Sequence, residues 1–364
     1  MKTWILILIL LSSSLTAKPL EQKIANMFVL GFYGTRINSH SRIVEDICRR
    51  GLGGVLLFER HPTRHSLPKN ISSPAQLKRL TEVLRSSCAH EPLIAIDQEG
   101  GRVQRLKRKD GFYGRYTKAS VLGGKGMEVA KKEYEKMGQE LHSVGVNFNL
   151  APVADMAVNR QNRVIYKLGR SYGSRADRVA MFDKIFINAM HRYGVLTSLK
   201  HFPGHGSSMK DSHKGFVDVS STWNSQELSP FKRVIDAGKA DSVMVAHVFN
   251  RKLDRRYPAS LSRKTVTGLL RGKLGYHGVV ITDDLQMYAI SKHYRLRETI
   301  KLAINAGVDI LLFGNQLDPR HEVGIERLVA LTKSLLAKGE IRQESIDRAN
   351  RRINAMKAKT GLRP

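Results

Sequence analysis

The chain is short of acid. Its 364 residues carry 32 Asp and Glu against 61 Lys and Arg, a formal charge of +29. Such an excess attracts polyanions. The basic residues are spread along the whole length, however, with no basic arm and no aromatic-rich binding stretch, which argues against nucleic acid as a partner. Acidic glycans and anionic membrane surfaces remain as polyanions that the surface could attract. The chain is also short of cysteine. Cys48 and Cys88 allow at most one internal disulfide, and whether they pair is decided by geometry that sequence leaves open. Past residue 17 no apolar run is long enough to span a membrane. No low-complexity linker or short-period repeat interrupts residues 18–364, which read as one domain and a monomer.

The one conspicuous apolar run is at the start. Met1-Lys2 is followed by apolar residues 4–11 and then by the small-residue stretch 12–17. A basic start, a short apolar core and a small-residue exit describe a cleavable secretory signal, residues 1–17, with cleavage near Ala17. No cysteine follows for lipid attachment. The expected location is periplasmic or secreted.

What the rest of the chain has is alternation. Strand-like apolar runs fall at 27–32, 54–58, 93–97, 146–153, 195–200, 242–246, 278–282 and 309–313. Helix-period segments separate them at 41–50, 74–88, 126–144, 176–193, 227–237, 264–274 and 296–306, and another follows at 322–336. Eight strands, each followed by a helix, predict an α/β fold: a (β/α)8 TIM barrel. A last helix at 343–357 is expected to pack outside it. In such barrels chemistry lies at the carboxyl ends of the strands, and polar residues do fall there: Asp97 to Arg105 after strand three, Asp155 after four, Lys200-His201 after five, His247 after six, Asp283-Asp284 after seven.

The densest of these stretches runs from Leu199 to His213, with three histidines, two lysines and an aspartate around Pro203, Gly204 and Gly206. It leaves readings open. His201, His205, Asp211 and His213 could form a zinc site, since imidazole and carboxylate suit that metal. Alternatively, Asp211 orients His213 as a proton carrier near neutral pH. The plain alternative is a tight turn with solvated histidines. At Asp283-Asp284, side-chain alternation in a strand lets one carboxylate face the barrel mouth and sends the other into a loop or helix N-cap; Asp283 is the functional candidate. Asp97 could accept sugar hydroxyls or form a structural salt bridge with Arg102 or Arg105. Arg170 carries a weaker signal.

The segment Lys200-His201-Phe202-Pro203-Gly204-His205-Gly206, with Asp211-Ser212-His213 after a four-residue gap, resembles the signature of the family 3 glycoside hydrolases. It is most similar to their bacterial β-N-acetylglucosaminidase branch. Three further segments match the same branch: 97–105, 147–155 and 282–287. The likeness runs in order over nearly the whole chain. It departs at Ser207-Ser208, where that branch usually has Asp-Thr, and at Lys214–Asp218, which lacks the usual proline.

The resemblance implies a retaining exo-β-N-acetylglucosaminidase that needs no metal or cofactor. Asp283 matches the nucleophile, His213 the acid/base and Asp211 its orienting partner. Asp97, Arg105, Arg170, Lys200 and His201 match residues that hold the non-reducing sugar. A retaining mechanism needs a carboxylate nucleophile and a second group that serves first as acid and then as base. Trp223 is the one tryptophan past the signal, which favours short soluble oligosaccharides or muropeptides over crystalline polysaccharide. The alternatives are another β-glycosidase or a phosphate-dependent one of the same family, the zinc hydrolase, and a non-catalytic wall-binding protein.

Overall fold

A computed structural model describes residues 18–209 and 215–364. Its frame is eight parallel strands: β1 (Phe28–Gly31), β2 (Gly54–Leu56), β3 (Leu93–Ile96), β4 (Phe148–Asn149), β5 (Leu196–Phe202), β6 (Ser242–Val245), β7 (Val279–Thr282) and β8 (Leu311–Phe313). They lie in the order β7-β6-β5-β4-β3-β2-β1-β8. The two ends of this sheet then meet. Ile281 bridges Ile310 in parallel register, and the Thr282 and Ile310 N–H groups donate to Ile310 and Val280 carbonyls, both at 3.0 Å. The result is the expected (β/α)8 barrel. Every strand residue is buried, because side chains fill the barrel on one side and helices cover the other.

The helices show how local sequence directs the packing. Pro74–Ser86 starts with Ser73 accepting from the Gln76 N–H and proline in its first turn, and it buries Leu77, Leu80, Thr81 and Leu84 along one stripe. Cys48 and Cys88 are joined in a disulfide with Cα atoms 5.0 Å apart, so the ends of helices Arg42–Cys48 and Pro74–Ser86 are tied together. The last helix, Gln343–Ala358, lies across the amino ends of the strands. Asn350 receives a hydrogen bond from Asn26, just before β1. Lys357 donates to the Glu91 carbonyl before β3, and Arg352 pairs with Asp309 before β8.

Differences from expectation have local causes. The run at 146–153 is a strand only over Phe148–Asn149 and meets β5 again at an isolated Val153–Lys200 bridge; between them Pro152 has no N–H to contribute. Strand β5 runs two residues further than its apolar pattern, to Phe202. The segment at 264–274 is a π-helix, Lys264–Lys273, a winding that periodicity does not distinguish. Short helices at Leu20–Ala25, Ala119–Lys125 and Tyr288–Ser291 span too few residues to show a period.

Candidate active site

Strand β5 delivers the central residues. Its pairing with β6 slips between Leu199 and Phe202, which takes Lys200 and His201 out of the regular ladder at the barrel mouth. On the other side Lys200 stays in register: its N–H donates to Pro152 O at 3.0 Å and its carbonyl accepts from Ala154 N–H at 2.6 Å. The Lys200–His201 peptide is cis. Beyond it the chain turns under the mouth through two glycines. A Cβ at Gly206 would lie 1.8 Å from the Met156 carbonyl oxygen, and Gly204, at φ +116°, sits against Glu227.

The cleft at the carboxyl ends of the strands has a volume of about 480 Å³, within the range of small-ligand sites, and Asp97, Glu99, Arg170, Lys200, His201 and Asp283 are among its lining residues. Lys200 is its hub. The buried ammonium contacts Asp97 Oδ1 at 2.9 Å and Glu99 Oε1 at 2.7 Å. Each carboxylate has a second cation. Arg105 reaches Asp97 Oδ2 at 3.0 Å, and Arg170 forks onto Glu99 with contacts of 2.8 and 2.7 Å. Arg105 also lies 3.7 Å from Glu59, which Lys107 holds at 3.0 Å. Burial by itself would raise both carboxyls, but Lys200 and Arg105 hold Asp97 well below the usual range, and Arg170 and Lys200 bring Glu99 down to about 2. Burial lowers Lys200, and Asp97 and Glu99 more than reverse that. The wall is therefore a fixed array of full charges, oriented before any ligand arrives.

Asp155, after β4, organises the histidines. Its carboxylate takes His201 Nδ1 at 2.6 Å and the His205 N–H at 2.7 Å. Arg170 Nη2 is 3.4 Å from His201 Nε2, so the network places the ring proton on Nδ1. Burial raises the Asp155 carboxyl, and His201 draws it below its ordinary value. His205 Nδ1 meets Ser208 Oγ at 2.6 Å, which gives one half of the departing Ser207-Ser208 pair a definite partner. Burial takes His205 down to about 4, making it a neutral imidazole at physiological pH.

Asp283 follows the last residue of β7. Its N–H donates to Val245 O at 3.1 Å, and its Oδ1 accepts from Asp284 N–H at 2.8 Å. Both aspartates line the cleft. That corrects the expectation that only one would, because Asp283 already lies past the ladder and strand alternation no longer governs it. Nor does Asp284 cap a helix. It accepts from Gln286 and Gly314 N–H groups at 3.0 and 3.1 Å, while the capping position of the next helix is Met287.

Six of the residues expected at the site are thus brought together: Asp97, Arg105, Arg170, Lys200, His201 and Asp283. Asp211 and His213 lie outside the described residues. Asp97 does salt-bridge Arg105 and still lines the cleft, so the structural and the ligand-facing readings coexist. In the sequence Glu99 is only part of its segment, Asp155 is marked only by its place after strand four, and Glu59 carries no signal. Among the described residues no three His, Cys, Asp or Glu side chains converge as a metal site, and His201 and His205 are directed to Asp155 and Ser208.

Fold and cleft define a (β/α)8-barrel protein with its functional groups at the carboxyl ends of the strands. The chain belongs to glycosyl hydrolase family 3: residues 19–356 match the Glycosyl hydrolase family 3 N terminal domain. It is 34% identical over 337 residues to Beta-hexosaminidase A of Pseudoalteromonas piscicida, covering 86% of this chain and 54% of that protein. It is also 34% identical over 299 residues to Beta-hexosaminidase of Xylella fastidiosa (strain M23), covering 79% and 82%. Among solved structures, a glycoside hydrolase family 3 beta-N-acetylglucosaminidase from Paenibacillus superposes with TM-score 0.83 at 33% identity, over 94% of this chain and 63% of that one. Beta-N-acetylhexosaminidase from Beutenbergia cavernae does so with TM-score 0.79 at 28% identity, over 94% and 99%. The chain thus spans little more than half of the first of these relatives and nearly all of the last.

Proposed function

We propose that the protein is a retaining exo-β-N-acetylglucosaminidase that releases terminal N-acetylglucosamine from short amino-sugar oligosaccharides. One observation carries the reading: a buried ring of Lys200, Asp97, Arg105, Glu99 and Arg170 shares its cleft with Asp283. Paired carboxylates and guanidinium forks are hydrogen-bonding partners for vicinal hydroxyls, and their charges are already compensated, so a neutral sugar can bind without leaving an ion unpaired. In this mechanism the Asp283 carboxylate attacks the anomeric carbon while His213, oriented by Asp211, protonates the departing glycosidic oxygen. The glycosyl ester on Asp283 is then cleaved by water, whose proton returns to His213. A histidine in that role avoids placing a second anion beside Asp283.

Residues 1–17 and the Cys48–Cys88 disulfide support an exported protein, because disulfides persist in oxidising compartments. The substrates available there include muropeptides, whose acidic groups suit a +29 chain. The test is a nitrophenyl glycoside panel on wild type, Asp283→Ala and His213→Ala in chelator, with and without phosphate. Wild type should prefer the N-acetyl-β-glucosaminide, and Asp283→Ala should be inactive. His213→Ala should lose about 10²–10⁴-fold on poor leaving groups and little on activated ones. Full activity in Asp283→Ala refutes the mechanism; a rate that requires phosphate redirects it to phosphorolysis.

A further inference from the structure

At the opposite end of the barrel from the cleft is a second cavity, of about 490 Å³, lined by Arg263, Arg271, Arg342, Arg348, Arg352 and Asp309 among others. It lies beside residues 307–309, which lead into the amino end of β8. Five guanidinium groups share this cavity with a single carboxylate. That carboxylate is fully engaged: Asp309 takes Arg271 at 2.6 Å, Arg352 at 3.0 Å and the Val280 N–H at 2.8 Å. Arg271 also donates to the Gly307 and Gly278 carbonyls, each at 3.0 Å. These bonds fix the inner wall. Among the described residues Arg263, Arg342 and Arg348 form no ion pair; Arg348 donates to Ser345 Oγ at 3.1 Å. What distinguishes these three arginines is their place: they line one cavity with two further arginines, and its single carboxylate is already taken by those two.

We propose that this cavity is a binding site for a phosphoryl-bearing anion. Guanidinium forks match phosphate oxygens in pairs, and a concave site lined by one sign of charge concentrates the field. The volume exceeds a bare phosphate and admits a phosphoryl group with its attached alcohol. That chemistry is shared by a phospholipid headgroup and a soluble phosphate ester. The site would anchor or regulate the protein from the face away from the cleft, leaving the cleft open, and it gives the diffuse positive charge one focus.

The experiment compares wild type with Arg263→Ser/Arg342→Ser/Arg348→Ser, and with Lys125→Ser/Lys131→Ser/Lys132→Ser as a control of equal charge change on exposed positions. Binding of inorganic pyrophosphate is measured by calorimetry at low salt. Binding to vesicles of neutral lipid mixed with phosphatidylglycerol, whose anionic headgroups give the surface a negative potential, is measured by sedimentation against vesicles of neutral lipid alone. The arginine variant should bind the favoured probe about tenfold more weakly, and the control should stay within about twofold. Selectivity for pyrophosphate assigns a soluble ester, and selectivity for vesicles a headgroup. Equal losses in the two variants, or no binding of either probe by wild type, overturns the site. Nitrophenyl glycoside turnover should be the same in all three proteins.

Discussion

Replacing Lys200 by Met removes the cation shared by Asp97 and Glu99 while keeping most of the side-chain volume. Breaking a buried ion pair costs about 3–5 kcal/mol when it strands a charge. Here neither carboxylate is stranded, because Arg105 stays on Asp97 and Arg170 on Glu99. The expected cost at pH 7 is therefore smaller, about 2–3 kcal/mol. Its pH dependence is diagnostic. Both carboxyls have folded values below their unfolded ones, with Glu99 at about 2. The stability they contribute is complete above the ordinary carboxylate range and is lost as pH falls through the folded values. Without Lys200 those values lie closer to normal, so the variant has less to lose, and its deficit relative to wild type should shrink on acidification. Urea unfolding at pH 7 and pH 3 reads this directly, with Arg42→Ala as an exposed control that should move stability by about 0.5 kcal/mol or less. A Lys200→Met deficit below about 0.5 kcal/mol, or one of equal size at both pH values, would refute the charge network as described.

Glu227 has the opposite sign. Burial pushes its carboxyl up to about 7, and its Oε1 has no hydrogen-bond partner among the described residues. A raised folded value means its stabilising contribution is complete below the unfolded value and is lost as pH rises through 7. Wild type should lose about 2–3 kcal/mol relative to Glu227→Gln between pH 5 and pH 8, and parallel calorimetric pH profiles would dismiss the assignment. The Cys48–Cys88 bond spans a sequence separation of 40, which predicts a loss of about 4 kcal/mol in Cys48→Ser by the chain-entropy relation; unfolding that is unchanged by reductant in wild type would count against the bond. Gly206→Ala forces a methyl toward the Met156 carbonyl and should cost about 3 kcal/mol, accompanied by loss of glycosidase turnover; a fully active, equally stable variant would show that this turn has room.

The barrel was legible because eight apolar runs met eight helix-period segments at the right spacing, and because polar residues gathered after the runs. What was missed lay where the ladder ends. Gln98–Gly100 is itself extended, so alternation puts Asp97 and Glu99 on one side and Gln98 on the other. Gln98 indeed turns away to accept from the Arg105 and Leu106 N–H groups, while both acids converge on Lys200. That signal is present in the sequence, in the alternation of Asp97, Gln98 and Glu99 ahead of Gly100-Gly101. Applied to Asp283-Asp284, the same rule failed, because those residues follow the last paired position and loop contacts orient them instead. Asp155 is a different case. Its function is to bind one histidine ring and the backbone of another 46 and 50 residues away, and no local pattern encodes a partner at that distance. Alternation is thus informative as far as the backbone stays extended. Beyond that point the site is assembled by tertiary hydrogen bonds, and the residues hardest to read from sequence are those that position others.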